Sequence, residues 1–196
     1  MANAREILSR MKSVQDTRKI TNAMYLISST KLKKSKKLLE ETEPYFYTLQ
    51  DLIRRILRHM PDVEHFYFNP RKEIKEEDRI KGLIVITGDK GLAGAYNHNV
   101  LKMAQEWMEQ SKNHRLYVVG ELGRHYFEAR HIQVEEQFHY TVQNPTMHRA
   151  RLISSTILED YEEGRLDEVW IIYTQMINSM QMEAEMTALL PLKRED

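Results

Sequence analysis

Three groups of residues have types and spacings that chemistry could use. The first is Gly88-Asp-Lys-Gly-Leu-Ala-Gly94, a glycine-rich stretch directly after the apolar run Gly82-Leu-Ile-Val-Ile-Thr87. A loop of that kind between a strand and a helix is where a doubly wound sheet binds phosphate, because bare backbone amides can approach the ligand. Its glycines are spaced G-x-x-G-x-x-G, which matches neither G-x-G-x-x-G nor the P-loop pattern. Lys90 also falls too early, with no Ser or Thr after it to reach a magnesium ion. A Rossmann-like nucleotide-binding enzyme is the reading this loop would carry, and the spacing speaks against it.

The second group is the cluster Lys31-Leu-Lys-Lys-Ser-Lys-Lys37. Several cations on one helix reward contact with phosphate through counterion release, so a basic-helix nucleic-acid binder is a further alternative. No helix-turn-helix, stacking aromatic pair or base-reading polar set accompanies the lysines, and acidic loops of a protein partner would suit them equally well. The third group is the histidines and paired serines. The eight histidines form no i, i+4 pair around a carboxylate, and Ser28-Ser29 and Ser154-Ser155 lack a Gly-x-Ser-x-Gly elbow. With no cysteine, thiolate catalysis, disulfides and cysteine-based metal sites are excluded, and a reducing compartment fits. The expectation is therefore no catalytic residue, no metal and no cofactor.

The elements that must carry these groups divide the 196 residues in three. From Ala2 to about Met60 there is no glycine and only one proline, Pro44, so one very long helix is expected, kinked or broken at most near Glu43. Apolar residues recur at Ala4, Ile7, Met11 and Val14, then at Ile20, Met24 and Ile27, and later at Leu38, Leu49 and Ile56. These steps of three and four form a heptad-like stripe with one slip between Val14 and Ile20. Such a helix would be a rod of roughly 80 Å, at 1.5 Å per residue. A rod of that kind is one strand of a coiled coil and needs a partner of similar length, which no other stretch of the sequence supplies.

Residues 61–79 read as a polar connector with Phe66, Tyr67, Phe68 and Pro70. Residues 80–196 read as a Rossmann-like domain, an open and mostly parallel α/β sheet with helices on both faces. Strands are expected at Gly82–Thr87, Leu116–Val119, Ile132–Phe138 and Val169–Tyr173, with helices at Asn99–Lys112, Arg124–Arg130 and Thr146–Glu162. The Met-rich tail Gln175–Leu190 is expected to add an edge strand or hairpin.

The formal net charge is zero, yet Met1–Lys37 holds ten basic residues against two acidic ones, so that +8 there faces −8 in the remainder. This split predicts that the first segment meets an acidic surface. No apolar run approaches the roughly 18 residues of a membrane span, and the N-terminus has no apolar signal core.

Two segments together resemble the gamma subunit family of F-type ATP synthases. One is Ile20-Thr-Asn-Ala-Met24 with Lys31-Leu-Lys-Lys-Ser35, preceded by Arg5-Glu-Ile and Ser13-Val-Gln-Asp-Thr-Arg-Lys-Ile20. The other is Thr87-Gly-Asp-Lys-Gly-Leu-Ala-Gly94 with Asn97 and Asn99. Glu163-Gly-Arg-Leu-Asp167 and Leu189-Leu-Pro-Leu192 are similar to further runs of that family. The resemblance implies a non-catalytic rotor shaft that couples proton-driven rotation to ATP chemistry at the beta-subunit sites. It implies that Lys19, Met24, Lys31, Lys33 and Lys34 face acidic loops of beta, with Asp89, Lys90 and Ala93 lining the region beneath. The implied partners are the alpha and beta subunits of the head, epsilon and the membrane c-ring, without nucleic acid. The implied place is a peripheral complex on the cytoplasmic side of a bacterial cell membrane. In that family a second long helix follows the α/β part, so the resemblance also implies a sequence that stops before the partner strand of its coiled coil.

Overall fold

The computed structural model describes residues 2–59, 65–69, 71–178 and 180–192. The chain divides into two compact units, Met1–Pro61 and Asp62–Asp196. Residue 60 of the expected helix and residues 61–64 and 70 of the expected connector lie outside the described residues.

The first unit is a single helix, α1, Ala2–His59. Pro44 lies inside it and does not end it, contrary to the break allowed near Glu43. Glu40 and Pro44 are both exposed there, so the carbonyl that loses its amide partner to the proline ring can be hydrated. Threonines are tolerated because their hydroxyls bond back to the carbonyl four residues earlier, as Thr17 does to Ser13 at 2.9 Å and Thr48 to Pro44 at 2.7 Å. Ion pairs such as Glu6–Arg10 (2.8 Å) and Asp16–Lys19 (3.4 Å) are exposed, and each adds a few tenths of a kcal/mol. The apolar stripe is bare: Ile7, Met11, Val14, Ile20, Met24, Ile27, Leu49 and Ile56 are all exposed.

The second unit is a four-stranded sheet in the order β2-β1-β3-β4. Its strands are β1 Lys81–Ile86, β2 His114–Val119, β3 Glu168–Met176 and β4 Met182–Leu190. β1 pairs in parallel with β2 (Leu83 opposite Leu116) and with β3 (Leu83 opposite Trp170), while β4 returns antiparallel along β3. The helices are α2 Tyr96–Gln110, α3 Glu121–Glu128 and α4 Met147–Glu162. Alternation along the strands gives two cores. Leu83, Val85, Leu116, Val118 and Ile172 bury against Val100, Leu101 and Ala104 of α2 and Phe127 of α3. Ile84, Tyr117, Val119, Val169 and Leu190 bury against Ile157 and Tyr161 of α4, with Phe138 and Leu166. Helices thus cover both faces of a mostly parallel sheet, as the pattern predicts.

Ile132–Phe138 is not the expected third strand. Its apolar residues do not alternate on one face: Ile132 and Val134 pack toward the α2/α3 core while Phe138 is buried in the α4 core. The segment instead wraps around the edge of β2, where the Glu135 amide donates to the Leu116 carbonyl (2.9 Å), and beyond it Tyr140 forms an isolated bridge parallel to Val119. The tail does add an edge strand, β4, closing a hairpin with β3.

Residues 71–79 are anchored within the second unit by a guanidinium. Arg71 donates at 2.7 Å to the carbonyls of Tyr161 and Leu166 and to the Asp167 carboxylate, and lies 4.6 Å over the Tyr161 ring. Asp167 in turn accepts the Ile80 amide at 2.8 Å, so one nearly buried ion pair ties the lead-in of β1 to that of β3.

Candidate functional site

The residues predicted to make contacts fall on two separate surfaces, one in each unit. On α1 all five are exposed, but they do not share a face. At 3.6 residues per turn, Met24, Lys31 and Lys34 lie within about 40° of the line through Ile20 and Leu38. Lys33 is turned about 160° from Lys31, and Lys19 lies about 40° from Lys33. Two of the lysines therefore stand on the apolar seam and two on another side. Lys19 is paired with Asp16 at 3.4 Å, whereas Lys31, Lys33 and Lys34 make no ion pair among the described residues.

In the second unit, Asp89, Lys90 and Ala93 lie on the loop between β1 and α2. Its base is locked by side chains that take up the backbone groups a phosphate would need. Asn97, from the first turn of α2, accepts the Gly88 amide at 2.7 Å and donates weakly to the Lys90 carbonyl at 3.5 Å. Thr87, fully buried, accepts the Gly123 amide of α3 at 2.9 Å. Asp89 accepts the amides of Glu121 and Val142, each at 3.2 Å. It thereby caps the N-terminus of α3, where a carboxylate also meets the positive end of the helix dipole. Its second oxygen is buried and has no donor among the described residues. Lys90 and Ala93, by contrast, are exposed at the tip.

The backbone requires special conformations where the sequence does not announce them. Leu92 (φ 60°) and Gly94 (φ 58°) are left-handed, while Gly91 is not. Gly120, at φ 107°, is the tightest position: a Cβ there would stand 2.4 Å from the Thr87 carbonyl oxygen. Neither Gly120 nor Gly123 belongs to a recognisable motif, so sequence reasoning missed both. Their only signal is proximity to the end of an apolar strand.

Sequence reasoning also missed a polar knot beneath α4. Asp160, only 6% exposed, accepts the Tyr117 hydroxyl and the Arg165 guanidinium (2.6 Å) and faces Arg115 at 3.5 Å. Burial, reinforced by the Asp160 hydrogen bond, pushes the Tyr117 phenol well above its ordinary range. Tyr161 is also raised, by burial first. At the start of α3, the hydrogen bond from Arg124 holds the Glu121 carboxyl below its usual range. These are structural arrangements: the knot presents no nucleophile to a cleft, and no group of three or more His, Asp or Glu among the described residues could hold a metal. A groove of about 370 Å³ between α4 and the sheet is lined by apolar side chains such as Ile86, Ile153, Leu158 and Ile171, with Ser154 its sole polar residue. It offers almost nothing to orient a small polar ligand.

Comparison with known proteins agrees with this geometry. A family model described as ATP synthase matches residues 3–196. The ATP synthase gamma chain of Acetivibrio thermocellus is 45% identical over 193 residues, covering 98% of this chain and 65% of that protein. The sodium ion specific ATP synthase gamma chain of Acetobacterium woodii is 36% identical, covering 99% of this chain and 63% of its own length. This chain thus spans about two thirds of the length of those relatives. Among solved structures, a chain from the central stalk and c-ring of the Tetrahymena thermophila mitochondrial ATP synthase has the same fold, with a TM-score of 0.64 at 20% identity, covering 90% of this chain and 79% of the other. With a long exposed helix, a self-locked glycine loop and a match along nearly its whole length, the chain belongs to the ATP synthase gamma chain family.

Proposed function

We infer that the chain acts as the central-stalk gamma subunit of an F-type ATP synthase, mechanical rather than catalytic, with no bound cofactor. The observation that carries this reading is α1, a 58-residue helix whose apolar stripe is exposed from Ile7 to Ile56. A surface of that kind is stabilised only by burial against other helices or subunits. The +8 charge of Met1–Lys37 suits acidic loops of the beta subunits. Met24, Lys31 and Lys34 would meet them from the apolar side, Lys19 and Lys33 from the flank, and Lys90 and Ala93 from the loop tip, with Asp89 holding the loop in place. Alpha and beta surround the shaft on this reading, and the α/β unit carries epsilon and stands on the c-ring. The complex would sit at the cytoplasmic side of a bacterial membrane, and no helix among the described residues is long and apolar enough to cross one itself. We take the proton as the coupling ion.

The mechanism follows from asymmetry. A turning shaft presents different side chains to each beta site in succession, and a site changes state only by the difference in contact free energy between its conformations. Rotation and ATP chemistry exchange through that difference.

The test is light scattering on a size-exclusion column after mixing the chain with purified alpha, beta and epsilon subunits. One peak with the mass of the head plus one copy of this chain is expected. Elution of the chain alone would remove the reading. Calorimetric titration of the chain with ATP or NAD should show no binding heat, whereas saturable heat would favour the nucleotide-enzyme alternative. Reconstitution with proton and with sodium gradients decides the ion.

A further inference from the structure

We propose that the turn Glu40–Pro44 is the compliant point of α1, where the helix bends toward its own apolar stripe. Two stiffer lengths, 2–39 and 45–59, meet at that turn. The inference concerns α1 alone and stands apart from the rotor reading.

Backbone chemistry fixes the place. Pro44 has no amide hydrogen, so the Glu40 carbonyl loses its helical donor, and the pyrrolidine ring presses against that same carbonyl. Residues 39–49 are all exposed, so water can reach the freed oxygen whenever the turn opens. The Thr42 hydroxyl donates to the Leu38 carbonyl and the Thr48 hydroxyl to the Pro44 carbonyl, each at 2.7 Å. Back-bonding of this kind weakens the helical ladder and favours bending. It recurs at Thr17, Thr21 and Thr30, where no ring intrudes, so the proline decides where the bend falls. Glu40 and Glu43 place like charges three residues apart, which loosens the turn further.

Helical geometry fixes the direction. A proline ring opens the side of the helix on which it stands, so the axis bends away from it. Leu38, Leu49, Ile53 and Ile56 lie about 120° to 180° around the helix from Pro44. All four are exposed apolar residues. The stripe therefore takes the concave face and Pro44 the convex one, which is the sense in which a long helix curves around what it covers. A heptad stripe drifts slowly around the axis of a straight helix, and a bend toward the stripe keeps both lengths against one neighbour.

The chain has no cysteine, so pairs of spin labels can be introduced without removing any native thiol. Lys37 and Asp51 flank Pro44 on its own face, with about 21 Å of helix axis between them, and Ser35 and Ile53 flank it on the opposite face, about 27 Å apart. The experiment measures inter-label distances by double electron–electron resonance in Lys37→Cys with Asp51→Cys and in Ser35→Cys with Ile53→Cys, each with Pro44 retained and with Pro44→Ala. Straightening should shorten the first distance and lengthen the second by about 2–4 Å, the lever of a bend of about 20° or more, and should narrow both distributions. In the parent chain, backbone amides of residues 41–48 should exchange with deuterium about ten-fold faster than those of residues 21–30, and Pro44→Ala should close that gap. Distances that stay fixed, or that move in the opposite sense, would overturn the proposal. Equal protection of the two stretches in the parent would overturn it as well, because the turn would then be no softer than the rest of α1. Circular dichroism separates bending from breaking: if Pro44→Ala restores about a turn or more of helix that the parent lacks, Pro44 ends the helix and the proposal falls.

Discussion

The side-chain carbonyl of Asn97 accepts the amide hydrogen of Gly88 across 2.7 Å, from a position only 6% exposed. The first turn of α2 thus claims a donor that a phosphate would otherwise take, and the glycine loop holds itself instead of an anion. Replacing Asn97 by Ala leaves the Gly88 amide without that partner and should lower stability by about 1–3 kcal/mol, seen as a lower urea midpoint. ATP should leave the melting temperature of the parent chain unchanged, and a nucleotide-dependent rise would contradict the self-locked loop.

Gly120 and Gly91 should respond in opposite ways to the same added methyl. At Gly120 a Cβ meets backbone oxygen at 2.4 Å and the φ is 107°, so Gly120→Ala should cost more than about 3 kcal/mol or prevent folding. Gly91 has an ordinary φ, and its Cβ would meet nothing nearer than Leu122 at 3.9 Å. Gly91→Ala should therefore change stability by no more than about 0.5 kcal/mol. The sequence alone does not establish whether Gly91, inside the motif, needs a positive φ; comparing the two denaturation curves tests the placing of the demand at Gly120.

The buried tyrosines make stability fall at alkaline pH. Burial and the Asp160 hydrogen bond raise the Tyr117 phenol above its ordinary value of 10.0, so the native state holds its proton more tightly than the unfolded chain does. The resulting stabilisation is fully present below the unfolded pKa of about 10 and is lost as pH climbs from there through the raised native value. Tyr161 acts in the same direction through burial. Urea midpoints should drop above about pH 10, and Tyr117→Phe should flatten that slope. At neutral pH the same change should cost about 1–2 kcal/mol, because Asp160 loses one donor and keeps Arg165.

The lysines of α1 divide by face, and their substitutions should divide likewise. Lys31→Glu with Lys34→Glu alters the apolar seam and should weaken binding to alpha and beta by about ten-fold or more. Lys19→Glu with Lys33→Glu changes the flank, and should mainly slow association at low salt, an effect that fades over the Debye length as ionic strength rises. Circular dichroism should show α1 intact in both, and equal losses at all salt concentrations would rule out the separation into faces.

Much of this protein is legible in residue pattern. The absence of glycine from Ala2 to His59, with threonines able to bond back along a helix, is enough to predict one long α1. The apolar runs at Leu83–Ile86 and Leu116–Val119 identify central strands, since a buried parallel strand needs side chains that suit both faces. The charge split points to an acidic surface, and the exposed heptad stripe to burial against another helix. Ile132–Phe138 misleads because its apolar content is strand-like, while its residues serve two different cores around the edge of β2.

What the sequence determines by itself is what depends on neighbours along the chain: helix continuity, strand periodicity, the sign of each surface, and the family. What only the tertiary structure decides is what depends on residues brought together from far apart. The Arg71 anchor on Tyr161, Leu166 and Asp167, the closeness of Gly120 to Thr87, and the inward turn of Asp89 all join segments tens of residues apart. So does the contrast at the loop tip, where Asp89 is engaged from within and Leu92 is left bare. Hydrogen bonds and van der Waals contacts act over a few ångströms and leave no periodic trace in the chain, so these relationships appear only once the sheet has placed its loops side by side.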